Sequence, residues 1–540
     1  MRTKYIVLAL FFLFTVVSKA QKTPYLQKKG TATQLIVKDN PYLILGGELG
    51  NSTASSLEDM QWVSEKLQKM KLNTMLVPAY WELIESEEGK YDYTLVDGII
   101  ELARKHDLKI VFLWFGVWKN SMSCYAPMWV KENYQKYPRA VTKSGQPLEI
   151  LSAFSQNNLE LDKRAFKHFM NHLAEVDKTQ QTVIMVQVEN EIGMIEDARD
   201  YSKEANKLFT SEVPKQLVDY LVKNKQSLRP QLLERWEKNG FKTKGTWTEL
   251  FGEGLETDEI FMAWNYGLFI QEVAQSGKNA YNLPMYLNAA LNSRGRKPGA
   301  YPSAGPLAHL LDIWRASAPA IDFLAPDIYD PGFTDWCKQY HVNGNPLFIP
   351  EIRLAEENAA RVFYAFGEHD AMGFSPFSIE SVTNPEEYPL TKSYKILRQI
   401  LPLLSEKQGE GKTNGFWFDG EEKERTTERN GYTFTFKHDY TLGWNPQAKD
   451  GNKWPETGAL IIGLSKNEYL VAGTGVVVTF GNTKKDGTQT GIGIIDEVEF
   501  KDGKMRPLRR MNGDQDHQGR HLRIPAGEWS IQYVKLYDYK

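Results

Sequence analysis

Short apolar runs, each ending abruptly in polar or aromatic side chains, recur along most of the chain. The clearest is Val183 to Val188, rich in β-branched residues, the texture of a strand buried on both faces. It stops at Glu189, Asn190 and Glu191, and Gly193 is expected to free the backbone to leave the strand. Tyr42 to Leu45 runs into Gly46, Gly47 and Glu48. Leu72 to Pro78 ends in Ala79, Tyr80, Trp81 and Glu82, and Lys109 to Trp114 ends in Phe115, Gly116, Val117 and Trp118. Met285 to Ala290, Phe323 to Tyr329, Pro346 to Glu351 and a looser Ala371 to Phe377 complete the series.

Between these runs the apolar period lengthens to that of helices. Met60, Val63, Leu67 and Met70 share a face behind a candidate cap at Ser56, and Leu95 to His106 and Ala165 to Val176 read the same way. Eight strands alternating with helices predict a closed (β/α)8 barrel. The absence of a glycine-rich phosphate loop after the first strand counts against an open doubly wound sheet. One connection is oversized: residues 194–284 carry their own helices, clearest at Leu217 to Val222 and Ile260 to Val273, and are expected over the barrel mouth.

Near Ser405 the texture changes. Lys407 to Asn414 reads as a linker, and the alternating segments beyond it, such as Tyr432 to Phe436 and Tyr469 to Phe480, predict a small all-β domain of sandwich type. The barrel is therefore expected over 21–404 and the β-domain over 405–540. Residues 1–20 have the charged, apolar and small-x-small parts of an export signal, which implies a periplasmic or secreted protein. No later run has the length of a transmembrane helix.

Composition narrows the chemistry. A net charge of −3 over 540 residues gives no signature of nucleic-acid binding. The nine His show no metal-ligand spacing, no Gly-x-Ser-x-Gly elbow is present, and no cofactor is expected. Cys124 and Cys337 are assigned no redox role, and a domain of this size does not need them bonded. The acids instead collect where apolar strands end, and a barrel gathers those ends on one face. Glu191 and Glu351, closing the fourth and seventh strands, would face each other there. Such a pair suits glycoside hydrolysis: one carboxyl protonates the leaving oxygen and one carboxylate attacks the anomeric carbon.

The segment Gln187-Val188-Glu189-Asn190-Glu191-Ile192-Gly193, with Glu351 ending a seventh strand, resembles the retaining (β/α)8-barrel glycoside hydrolases, and family 35 β-galactosidases in particular. The tip from Pro78 to Glu82, with Glu87, Glu88 and Gly89, is closer to family 42 β-galactosidases. The resemblance implies Glu191 as acid/base, Glu351 as nucleophile, Asn190 on the sugar 2-hydroxyl and Tyr329 on the nucleophile. Glu189 is expected as a second polar contact or a structural acid. Trp81, Trp118, Glu48 and Glu380 are candidate sugar contacts. Val117 stands where many members carry an acid, and Pro350 to Arg353 is an unusual nucleophile context, the marks of a divergent branch. The expected substrate is an oligosaccharide or polysaccharide ending in β-D-galactose. Alternatives are α-L-arabinopyranosidase, β-glucosidase or endo-glycanase activity, or a non-catalytic carbohydrate-binding barrel.

Overall fold

A computed structural model describes residues 22–292, 295–342 and 344–540; the expected export signal lies outside the described residues. Eight parallel strands close into a barrel: Ile44–Glu48, Thr74–Tyr80, Lys109–Lys119, Val183–Asn190, Met285–Ala290, Phe323–Ile328, Phe348–Ile352 and Gly373–Pro376, here called the first to eighth barrel strands. Their side chains are buried almost throughout, as strands walled by helices on one side and a filled interior on the other must be.

The helices follow local signals. Ser56 caps Leu57–Lys69 by accepting from the Asp59 amide at 3.2 Å, and Ser155 caps Gln156–Asp177 in the same way. A three-stranded antiparallel sheet from Tyr25 to Tyr42 lies against the N-terminal ends of the barrel strands: the Lys38 amide donates to Gln181 at 2.6 Å and the Tyr42 hydroxyl to the Asn73 carbonyl at 2.9 Å.

The insertion after the fourth strand is helical, as its periodicity predicts, and its last and longest helix is Leu255–Ala280. That helix joins the outer wall rather than covering the mouth. It packs along Gln156–Asp177, where Gly277 leaves so little room that an added Cβ would come within 2.3 Å of the Phe166 ring. Only its middle reaches the strand tips, through the buried Tyr266 hydroxyl donating to the Gly193 carbonyl at 3.0 Å.

The last barrel helix, Pro389–Lys407, runs through the start of the expected linker, and the next strand begins at Thr413. The turn between them is anchored, since the Thr31 amide donates to the Gly409 carbonyl at 3.2 Å. The C-terminal strands form one continuous sheet with a separate core on each face. Phe416, Phe434, Tyr469 and Val471 fill its own core, while Leu460, Ile462, Leu470 and Ala472 join the core of the barrel. Helix Asn358–His369 lies on this sheet at very short range, because Gly367, Gly415 and Gly458 lack the Cβ that would collide with backbone atoms opposite. Arg361 and Glu456 form a two-pronged ion pair across the seam at 3.0 and 2.8 Å. Cys124 and Cys337 are both free and buried. No helix among the described residues is long and apolar enough to cross a membrane.

Candidate active site

The fourth strand ends in a sharp change of direction. Glu189 and Glu191 both adopt left-handed backbone angles, φ 61° and 46°, at a cost of roughly 1 kcal/mol each. What holds them there is a set of side-chain bonds. The Asn288 amide oxygen, from the fifth strand, accepts from the Glu191 backbone N–H at 2.9 Å, and Ser121 donates to the Glu191 carbonyl at 2.7 Å. Gly193 has no left-handed angle; it is needed for space, because a Cβ there would sit 2.6 Å from the Ser121 hydroxyl and 2.9 Å from the Ser303 carbonyl.

These bends bring Glu191 to the barrel axis beside Glu351 and Asp327. One carboxylate oxygen from each of the three lies within 4.8 Å of the other two. Glu48, from the first strand, faces Glu351. Asp327 faces Glu191, and one of its oxygens accepts from the Asn288 amide nitrogen at 2.7 Å. The Tyr329 hydroxyl donates to Glu351, and the Asn120 amide to Glu191. Glu191 and Glu351 each keep 6% of their surface exposed, against 1% for Glu48 and Asp327. The positive charge facing the group comes from Lys119, itself buried, whose ammonium donates to the Asn190 side-chain oxygen at 2.8 Å.

Four carboxyls so placed cannot all ionise. Burial and mutual repulsion push Glu48 and Asp327 well above the usual carboxylate range. Burial, then the charge of Glu191, lifts Glu351 to about 7, against the pull of Tyr329, Lys119 and Glu48. Burial raises Glu191 too, opposed by Lys119, Asp327 and Asn120. Glu351 therefore sits in range to exchange its proton near neutrality, Glu191 is raised in the same direction, and Glu48 and Asp327 are pushed furthest toward the protonated form.

Not every expected contact reaches this cluster. Trp81 is wholly buried, stacked on Trp114 at 6.5 Å, and its indole N–H donates to Glu85 at 2.9 Å, so it offers no face to a sugar. Trp118 is also fully buried, edge-on to Tyr266 and Phe269 at 5.1 and 4.8 Å. Glu380 turns to the loop after the first strand and accepts from the Gly50 amide and the Thr53 hydroxyl at 2.8 and 2.7 Å. Glu189 points away from Glu191. It accepts from the Trp118 amide at 2.8 Å and shares a sealed pocket with Asp162, where Trp114 donates to Asp162 at 3.0 Å. A cavity of about 370 Å³ lies elsewhere, between the insertion and the segment after the fifth strand. Its Glu259 is already satisfied by Tyr301, His309 and the Ala304 amide.

Sequence reasoning places Asp327 at a strand tip without a role and gives none to Lys119 or Asn120. Asp327 is a lone acid inside the apolar sixth strand, a signal that was available. Lys119 ends, and Asn120 follows, a third strand that continues past Trp114.

A family model described as β-galactosidase, glycoside hydrolase family 42, matches residues 55–245, a stretch that contains Glu191 and stops before Glu351. A second, described as a domain of unknown function, matches 390–523. No curated protein matches the chain. Solved structures similar to it include the β-galactosidase of the psychrophilic Marinomonas ef1, at 11% identity and TM-score 0.47, covering 68% of this chain and 62% of that one. The cold-adapted β-galactosidase of Rahnella sp. R3 has 15% identity and TM-score 0.46, covering 70% and 58%. The catalytic domain of a Paenibacillus polymyxa β-amylase has 12% identity and TM-score 0.45, covering 64% and 94%. The chain spans about three fifths of the length of these β-galactosidases. A closed parallel barrel with carboxyls gathered at its strand tips thus coincides, over its second to fourth strands, with a match to the family 42 glycoside hydrolase model.

Proposed function

We propose that this protein is an exported, retaining exo-β-glycosidase that releases terminal β-D-galactosyl residues from oligosaccharides or polysaccharides by double displacement. The observation that carries the reading is the approach of Glu191 and Glu351, whose nearest oxygens lie within 4.8 Å. Retention works at carboxyl separations of about 5–5.5 Å, whereas inversion needs about 6.5–9.5 Å to admit a water.

In the first step the Glu351 carboxylate attacks the anomeric carbon and forms an ester, while the Glu191 carboxyl gives its proton to the departing oxygen. In the second, Glu191 takes a proton from water, which attacks the same carbon and frees Glu351. Tyr329 aims Glu351 and favours its ionised form. The Asn190 amide nitrogen is buried with no protein partner, while its oxygen is held by Lys119, which leaves a fixed donor for the sugar 2-hydroxyl. The exo reading is supported by the small exposure of the carboxyls and by the burial of Trp81 and Trp118, which leaves neither as a platform for a long chain.

The test is a screen of nitrophenyl β-galactoside, β-glucoside and α-L-arabinopyranoside on the wild type and on Glu191→Gln and Glu351→Gln. Hydrolysis of the galactoside, with both variants slowed at least about a hundredfold, is expected. Unimpaired turnover by either variant removes that residue from its role, and a preference for another glycoside replaces the sugar.

A further inference from the structure

The inner carboxyl of Asp327 has no part in the two-carboxyl scheme above, yet it is placed where it must affect it. It lies on the sixth strand, 1% exposed, with one oxygen tied to the Asn288 amide nitrogen at 2.7 Å. Its other oxygen is buried with no hydrogen-bond partner, and a carboxylate oxygen of Asp327 lies within 4.8 Å of one of Glu191. Two buried carboxyls this close repel if both ionise, so the pair is stable when it carries one proton. The same Asn288 side chain accepts from the Glu191 backbone N–H, so one asparagine fixes the positions of both acids.

We propose that Asp327 is a positioning residue that holds the catalytic proton: Asp327 and Glu191 share a single proton in the free enzyme, resting on Asp327 and passing to Glu191 when the leaving oxygen arrives. The inference rests on Glu191 being the acid/base. Glu191 is the better place for charge, because it faces Lys119 and accepts from Asn120, whereas Asp327 has only the Asn288 amide to support an anion. The carboxyls facing Asp327 all oppose its ionisation, Glu351, Glu191 and Glu48 across the axis, and the neutral hydroxyls of Tyr286, Tyr329 and Tyr340 complete its surroundings.

The balance closes over one turnover. In the first step Glu351 forms the C–O ester bond and the glycosidic C–O bond breaks. The departing oxygen takes the proton from Glu191, which Asp327 has supplied, leaving the Asp327–Glu191 pair with no proton. The charge on Glu351 disappears in the same step, so the extra negative charge is tolerated. In the second step water adds to the anomeric carbon, its proton goes to Glu191 and returns to Asp327, and Glu351 leaves as carboxylate.

The test compares wild type with Asp327→Asn and Asp327→Ser on an activated dinitrophenyl glycoside, whose leaving group needs no proton, and on an alkyl glycoside, which does. Both variants should lose at least about tenfold more on the alkyl substrate than on the activated one. The alkaline limb of kcat/KM should move to lower pH by at least about one unit, because the proton must then be held by Glu191, which Lys119 and Asn120 favour as an anion, instead of by Asp327. Equal losses on both substrates, or an unmoved alkaline limb, overturn the proposal. Should neither variant fold, infrared spectroscopy of the wild type decides. Trapping the glycosyl-enzyme with a 2-fluoro glycoside should remove one protonated-carboxyl band as the ester band appears, and retention of that band overturns the idea. Active Glu191→Gln would defeat the underlying assignment instead, which separates the two failures.

Discussion

The Tyr329 hydroxyl donates to the Glu351 carboxylate from the neighbouring strand, and Arg353 lies 5.4 Å from the Tyr329 ring on its outer side. The phenol both orients Glu351 and favours its ionised form, against a burial that opposes ionisation. Tyr329→Phe keeps the ring and removes the bond. The expected result is a fall of roughly a hundredfold in kcat with little change in KM, measured on an aryl galactoside. A change confined to KM would assign Tyr329 to substrate binding instead.

The raised value of Glu351 sets a pH window with two signs. For activity, Glu351 must be ionised to attack, so kcat/KM should fall as pH drops through about 7. For stability the sign is opposite. The folded state holds this proton more tightly than the unfolded chain, whose glutamate titrates near 4.5. The stability contribution is therefore complete below about 4.5 and lost as pH rises to about 7. Glu351→Gln removes this penalty, and its unfolding free energy at pH 8 should exceed that of wild type by roughly 3 kcal/mol. Equal denaturant midpoints at pH 8 would mean that the carboxyl is not strained in the folded protein.

Gly116 faces the rear pair of acids. A Cβ there would come within 2.3 Å of the Glu189 carboxylate and 2.7 Å of the Trp114 indole nitrogen. Neither neighbour can yield, since Glu189 holds the Trp118 amide and Trp114 is bound to Asp162. Gly116→Ala should destabilise the protein by about 1–3 kcal/mol, read as a lower denaturant midpoint. An unchanged midpoint would show that the third and fourth strands can part at their tips.

The barrel was legible because burial on both faces leaves a continuous apolar run, and because such runs end where the chain turns into polar tips. Those features placed Glu48, Glu191, Tyr329 and Glu351, which the fold brings together around one point. What a strand tip does not disclose is the direction of a side chain. Trp81 stands at a tip but finds Glu85 one helical turn on, and Glu380 finds the free amide of Gly50. Glu189 and Glu191, two apart, would share a face in a regular strand, and left-handed backbone angles send them to different neighbours. The third strand was read too short because Gly116 looks like a terminator; its ladder skips residues between Trp114 and Lys119, a shift that no local pattern encodes.

Glu380 separates a structural acid from a sugar ligand. Its carboxylate closes the loop at 50–53, and its own carbonyl is held by Lys66 at 2.6 Å. Glu380→Gln should cost about 1–2 kcal/mol of stability, because one buried acceptor loses its charge, with KM for an aryl galactoside unchanged. A rise in KM of tenfold or more with normal melting would return Glu380 to the sugar.

Lys119 is the counter-charge on which the outer carboxyls depend. It is buried, donates to Asn190 and stands 4.8 Å above the Phe115 ring, so its ammonium is fixed from two sides. It acts in one direction on Glu48, Glu191 and Glu351, lowering all three. Lys119→Met keeps most of the apolar stem and removes the charge. Each of the three carboxyls should then hold its proton to higher pH, and the acidic limb of kcat/KM, governed by Glu351, should move upward by at least about one unit. Asn190 also loses the donor that fixes its oxygen, so KM should rise for substrates that present a 2-hydroxyl, and rise less for 2-deoxy analogues. Lys119→Arg retains the charge and should restore the pH profile before it restores KM, since a planar guanidinium does not reproduce the single bond to Asn190. An acidic limb unmoved in Lys119→Met would mean that the carboxyls are balanced by the Tyr329 and Asn120 hydrogen bonds alone.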